Sequence, residues 1–140
     1  GKDCRMSSQA VGCMVVILPK DKVKDFEGYF DEQNNHAFVN TGIKLTESSD
    51  LDKPGYERRV YDFSCSFSLE SCLVEPEDND IRDVCYNLGL QYLDIDAVNS
   101  AENFSENIIF ENGICSYATK DIFSDYYTCE VKRKKREVEM

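Results

Sequence analysis

A chain of 140 residues has the length of one domain and can bury a core of its own. Its 41% hydrophobic and 11% aromatic content excludes a disordered chain, and a net charge of −11 argues against nucleic acid or anionic lipid as a partner. No apolar run approaches the roughly 20 residues of a membrane-spanning helix. The start, Gly1-Lys-Asp-Cys4, has no apolar signal region, so a secreted form would be the mature one.

The longest apolar run, Cys13 to Leu18, reads as a buried central strand ended by Pro19. Val23, Phe26 and Phe30 recur at helical spacing, but Gly28 interrupts them, so Lys20 to Phe30 is a short helix or a wide loop. Ala37 to Ile43 reads as a short strand, and Ser48 to Gly55, with Pro54-Gly55, as a turn. Val60 to Ser68 is the clearest alternating strand. Tyr61, Phe63, Cys65 and Phe67 share one face, and Asp62, Ser64, Ser66 and Ser68 the other. Ile81, Val84, Cys85 and Leu88 fall at i, i+3, i+4 and i+7, which predicts a short amphipathic helix closing near Gly89. Tyr92 to Ile95 reads as a further strand. Asn107 to Gly113 is a strand entering a hairpin turn at Asn112-Gly113. Ile114 to Thr119 and Tyr126 to Val131 complete the sheet. Tyr127, Cys129 and Val131 alternate with Tyr126, Thr128 and Glu130, and Lys132-Arg-Lys-Lys-Arg136 follows. The expected fold is mainly β, an antiparallel sandwich with one or two short helices. It spans residues 1–131, and 132–140 form a basic tail, disordered or a processing site.

The seven cysteines, at 4, 13, 65, 72, 85, 115 and 129, include no Cys-x-x-Cys pair, and His36 is the lone histidine. That pattern favours disulfides over a zinc site, with one thiol left over and the connectivity open. The charge is unevenly spread. Between Glu75 and Glu106 lie nine acids, Glu75, Glu77, Asp78, Asp80, Asp83, Asp94, Asp96, Glu102 and Glu106, against one base, Arg82. This stretch either keeps the protein soluble or meets a basic protein, with Tyr86 and Tyr92 as aromatic anchors beside Asp78, Asp80, Asp83, Asp94 and Asp96.

No nucleophile motif adjoins His36 and no glycine loop is shaped for phosphate, so the chain reads as a non-enzyme without a cofactor. Asp78-Asn-Asp80 and Asp94-Ile-Asp96 lack the glycine and glutamate spacing of a calcium loop and read as ordinary acidic segments. Asn103-Phe-Ser105 is an N-glycosylation sequon, and Arg133-Lys134-Lys135-Arg136 fits a furin-type processing site.

The segment from Lys120 through Tyr127-Thr-Cys129 to Val131 resembles the F strand of immunoglobulin-like domains, which implies a bridge from Cys129 to Cys65. Asp125 in place of glycine, and the absence of tryptophan, depart from that family. More of the chain resembles the ZP-N module of zona pellucida and egg-coat proteins, itself immunoglobulin-like. Cys4 and Met14 to Lys20 match its beginning; Ile108 to Asn112 and Tyr127 to Cys129 match its last strands. This resemblance implies a Cys4–Cys129 bridge and a second one among the middle cysteines, Cys65, Cys72, Cys85 and Cys115. It also implies an extracellular structural or gamete-recognition role, with a basic protein partner and self-association as a further option. The alternative is a secreted acidic decoy, of parasite or viral type, that binds a basic chemokine or cytokine.

Overall fold

A computed structural model describes residues 9–31, 42–66, 68–99, 104–121 and 129–135. Seven strands, β1 (Gln9–Pro19), β2 (Gly42–Asp50), β3 (Tyr56–Ser66), β4 (Tyr92–Asn99), β5 (Phe104–Glu111), β6 (Ile114–Asp121) and β7 (Cys129–Lys135), form one sheet in the order β2-β3-β1-β4-β5-β6-β7. Every pairing is antiparallel. The chain is mainly β. The short helices are α1 (Val23–Tyr29), entered through a 3-10 turn at Lys20–Lys22, and α2 (Ile81–Leu88), with a one-turn π-helix at Glu70–Val74.

Alternation sorts the side chains onto two faces. On one, Met14, Val16, Leu18, Tyr61, Phe63, Cys65, Leu93, Ile95, Ile108, Phe110, Cys115 and Tyr117 are buried. Phe26, Tyr29 and Phe30 from α1 and its end, Leu73 from the π-helix, and Ile81 and Val84 from α2 join them in a single core. The sandwich expected from the alternation is therefore not what the described strands build. Their apolar face is covered by helices instead of a second sheet.

Local chemistry fixes each helix. Asp80 accepts from the Asp83 N–H at 2.9 Å and so caps α2. Gly89 closes it, with Leu90 N–H reaching Cys85 O at 3.0 Å. Asp80→Ala is expected to cost about 1 kcal/mol in a urea melt. Helix α1 is tied to β3 by Glu27, which accepts from Tyr61 Oη at 2.6 Å and Arg59 Nη1 at 2.9 Å. Tyr29 Oη donates to Asn79 O at 3.0 Å, joining α1 to the loop before α2. At the β5–β6 hairpin, Asn112 (φ 55) and Gly113 (φ 78) supply the two positive φ angles of a type I′ turn, as the sequence predicts.

Some boundaries differ from the sequence reading. β2 includes Ser48 to Asp50, where the sequence predicts a turn or loop, because they pair with Arg59, Arg58 and Glu57. β7 continues through Lys135, pairing Lys132 with Tyr117 and Lys135 with Ile114. Lys132 to Lys135, including three residues of the processing motif, thus lie in a strand. Cys4, His36, Phe67, Asn103, Arg136 and Tyr126 to Thr128 fall outside the described residues.

No two of Cys13, Cys65, Cys72, Cys85 and Cys115 stand at disulfide distance, so no bridge among them is closed in this structure. The Cys65–Cys129 pairing is also corrected by the strand order. β3 and β7 are five spacings apart, on the order of 24 Å along the sheet. A disulfide spans Cα atoms no more than about 7 Å apart.

Candidate functional site

The sheet face opposite the helices has no layer over it among the described residues. The register aligns one cross-strand row on it: Lys44, Asp62, Cys13, Asp96, Asn107 and Ala118, from β2, β3, β1, β4, β5 and β6. Asp94 lies on the same face, two residues from Asp96. A shallow concavity of about 900 Å³ covers this region and includes Cys13, Asp62, Asp94, Asp96 and Asn107 in its wall. Val11 and Val98 are register partners at its edge and are 52% and 45% exposed, an apolar pair beside the acids.

The middle of the row is acidic, with Lys44 at its β2 end and Lys120 in the wall of the concavity. Asn107 Nδ2 lies 2.9 Å from Asp94 Oδ1, 2.7 Å from Asp96 Oδ1 and 3.1 Å from Ile95 O. This amide occupies the space between the carboxylates that a cation would need, and among the described residues no group is arranged to hold a metal ion. Tyr92 Oη donates to Asp94 Oδ2 at 3.2 Å. Desolvation, then repulsion from Asp94, raises the Asp96 carboxyl above its ordinary value. Desolvation, then Asp96, Asp62 and Asp94, raises the Cys13 thiol. The ion pairs among the described residues, Lys20–Asp50, Arg58–Glu47, Arg59–Glu27, Arg59–Glu57 and Arg82–Asp80, leave these three aspartates out.

Such crowding opposes folding at neutral pH. A carboxyl whose pKa is raised in the folded state costs stability as pH climbs out of the carboxylate range, and the cost is full above the folded pKa. Asp96→Asn removes the repulsion and keeps an acceptor for Asn107. We expect it to raise the thermal midpoint at pH 7 by about 1–2 °C, with the gain vanishing below about pH 4, as read by scanning calorimetry.

The structure divides the acidic stretch rather than gathering it. Tyr92, Asp94 and Asp96 lie on the open face, whereas Asp78, Asp80, Asp83 and Tyr86 lie on the helix side. Asp80 is buried as a helix cap. Tyr86 Oη donates to Gly113 O, and its ring meets Phe110 edge-on at 5.6 Å. Glu106 is buried under the sheet. The sequence reading did not single out Asp62, Cys13 and Asn107 as site residues. Its polar face Asp62/Ser64/Ser66 was the one signal pointing there, and only the register places Asp62 near Asp96.

Fold and site define a helix-backed antiparallel sheet that presents an acidic, partly apolar face. Comparison with protein-family models, curated proteins and solved structures finds no match to this chain. No described helix is long and apolar enough to cross a membrane.

Proposed function

We propose that this chain is a non-enzymatic protein-binding module whose open sheet face receives a basic protein surface. The observation that carries this reading is the group of Asp62, Asp94 and Asp96 around Cys13, outside every described ion pair and flanked by exposed Val11 and Val98. A cationic side chain placed over the solvent side of these carboxylates relieves the repulsion that raises Asp96, so binding recovers what folding spends. The valines supply apolar contact, without which exposed ion pairs contribute little. The extracellular, egg-coat-like form of the proposal rests on the sequence resemblance at the two chain ends. The secreted decoy of a basic chemokine is the alternative form, and the same face serves it.

The test measures association with a panel of basic chemokines, using lysozyme as a generic basic control, at about 20 and 150 mM salt. Asp62→Asn/Asp94→Asn/Asp96→Asn is expected to slow association at least about tenfold at low salt and to flatten its salt dependence. Glu75→Gln/Glu77→Gln/Asp78→Asn, on the helix side, is expected to leave both unchanged. Equal loss in the two variants would show generic charge attraction, and binding of no panel member above the lysozyme level would reject the chemokine form.

A further inference from the structure

Two core thiols are held together by the segment that links β3 to the π-helix. Cys65 is fully buried near the end of β3, and Cys72 is 5% exposed in the π-helix. Their side chains are hydrogen-bonded to each other. Cys72 Sγ also donates to the carbonyl oxygen of Ser66, the neighbour of Cys65, at 2.7 Å. The Cys72 proton is therefore directed at Ser66, which leaves its sulfur to accept from the Cys65 thiol.

The described part of the segment before Cys72, from Ser68 onward, is held by hydrogen bonds. Glu106 of β5 accepts the Leu69 and Glu70 N–H groups at 2.9 and 3.2 Å, Cys72 N–H reaches Ser68 O at 3.1 Å, and Ser71 N–H reaches Ser68 Oγ at 3.1 Å. The backbone from Ser68 to Cys72, which carries Cys72 to the end of β3, is thus independently braced. The two sulfurs do not stand at bonding distance, so closing a bond between them requires that they approach each other.

We propose that Cys65 and Cys72 are a disulfide site, closed in the oxidised protein as a short staple between β3 and the π-helix. The oxidant is a small-molecule or protein disulfide. One thiol of the pair loses its proton and attacks a sulfur of that disulfide, releasing one thiol and leaving a mixed disulfide. The second thiol then gives up its proton and attacks the protein sulfur of the mixed disulfide, releasing the other thiol. The protein loses two electrons and two protons, and the oxidant becomes two thiols. The hydrogen bond with Cys72, then burial, pushes the Cys65 thiol well up, which disfavours the thiolate once the core has closed. Exchange therefore belongs to folding, before this turn is sealed. The pairing does not depend on the binding reading.

The test refolds the full chain in a mixture of reduced and oxidised glutathione, denatures it in N-ethylmaleimide and digests it without reduction. Trypsin and a glutamate-specific protease cut after Arg59, Glu70 and Glu77, placing Cys65 in peptide 60–70 and Cys72 in peptide 71–77. The expected result is that both peptides are recovered mainly as one linked species, two hydrogen masses below their sum, which separates on reduction. Recovery of the two mainly as alkylated singles, or of either mainly joined to another cysteine, overturns the proposal.

Discussion

Gly12→Ala is expected to be the most damaging alanine substitution among the described glycines. A Cβ at residue 12 would stand 1.8 Å from the Asp96 carbonyl oxygen and 2.8 Å from the Ala97 Cα. Both are backbone atoms of β4, so no side-chain rotation relieves the clash. Gly12 pairs with Ala97 on one side and Phe63 on the other, in the strand between β3 and β4. Parting β1 from β4 would break the ladder beneath the core and pull Asp96 away from Cys13. A loss of about 3–5 kcal/mol in urea unfolding is expected, or failure to fold. Gly28→Ala is the control. Nothing lies within 4 Å of its added Cβ, and it sits inside α1, so a gain of about 0.5–1 kcal/mol is expected. Similar effects at the two glycines would refute the close approach of β1 and β4.

Glu106→Ala is expected to cost about 2–4 kcal/mol for a different reason. The π-helix has no side-chain cap of its own at Leu69. Glu106, distant in sequence, takes that part. Its carboxylate accepts from Leu69 N–H at 2.9 Å, Glu70 N–H at 3.2 Å and Tyr117 Oη at 2.8 Å. Alanine would strand two backbone donors and a hydroxyl in the core. Glutamine keeps one acceptor but turns an amide N–H₂ toward the donors, so an intermediate loss is expected. Burial raises the Glu106 carboxyl above its ordinary value, outweighing the lowering by Leu69, Tyr117 and Glu70. The raised value means that this group disfavours folding as pH climbs from the unfolded pKa through the folded one. Glu106→Gln is accordingly expected to reduce any fall in stability between pH 5 and 7, measured by urea melts at both values. An unchanged melt for the alanine variant would mean that water serves the donors as well as the carboxylate does.

What was legible in the sequence is what local pattern encodes. The amphipathic spacing of Ile81, Val84, Cys85 and Leu88 gave α2, and Asn112-Gly113 gave the hairpin. The alternation of Tyr61, Phe63 and Cys65 identified a strand and its buried face. What covers such a face is not a local property. Helices and a second sheet bury the same apolar atoms, so the alternation was read as a sandwich.

The candidate site shows the same division. Asp94 and Asp96 share a face by strand periodicity alone, and the sequence marked them. Asp62 and Asn107 reach them only through the registers of β1 with β3 and β1 with β4, and of β4 with β5. A shift of one residue in any of these pairings would move their side chains to the opposite face. Glu106 looked like one more surface acid, yet its parity in β5 turns it into the core to cap a helix 36 residues earlier. By itself the sequence determined the strand through Tyr61 to Cys65, the helix α2, the Asn112-Gly113 turn and the overall acidity, because these depend on neighbours within a few residues. The tertiary structure alone decided which acids crowd together and which cap a helix, because those depend on pairings between segments distant in the chain.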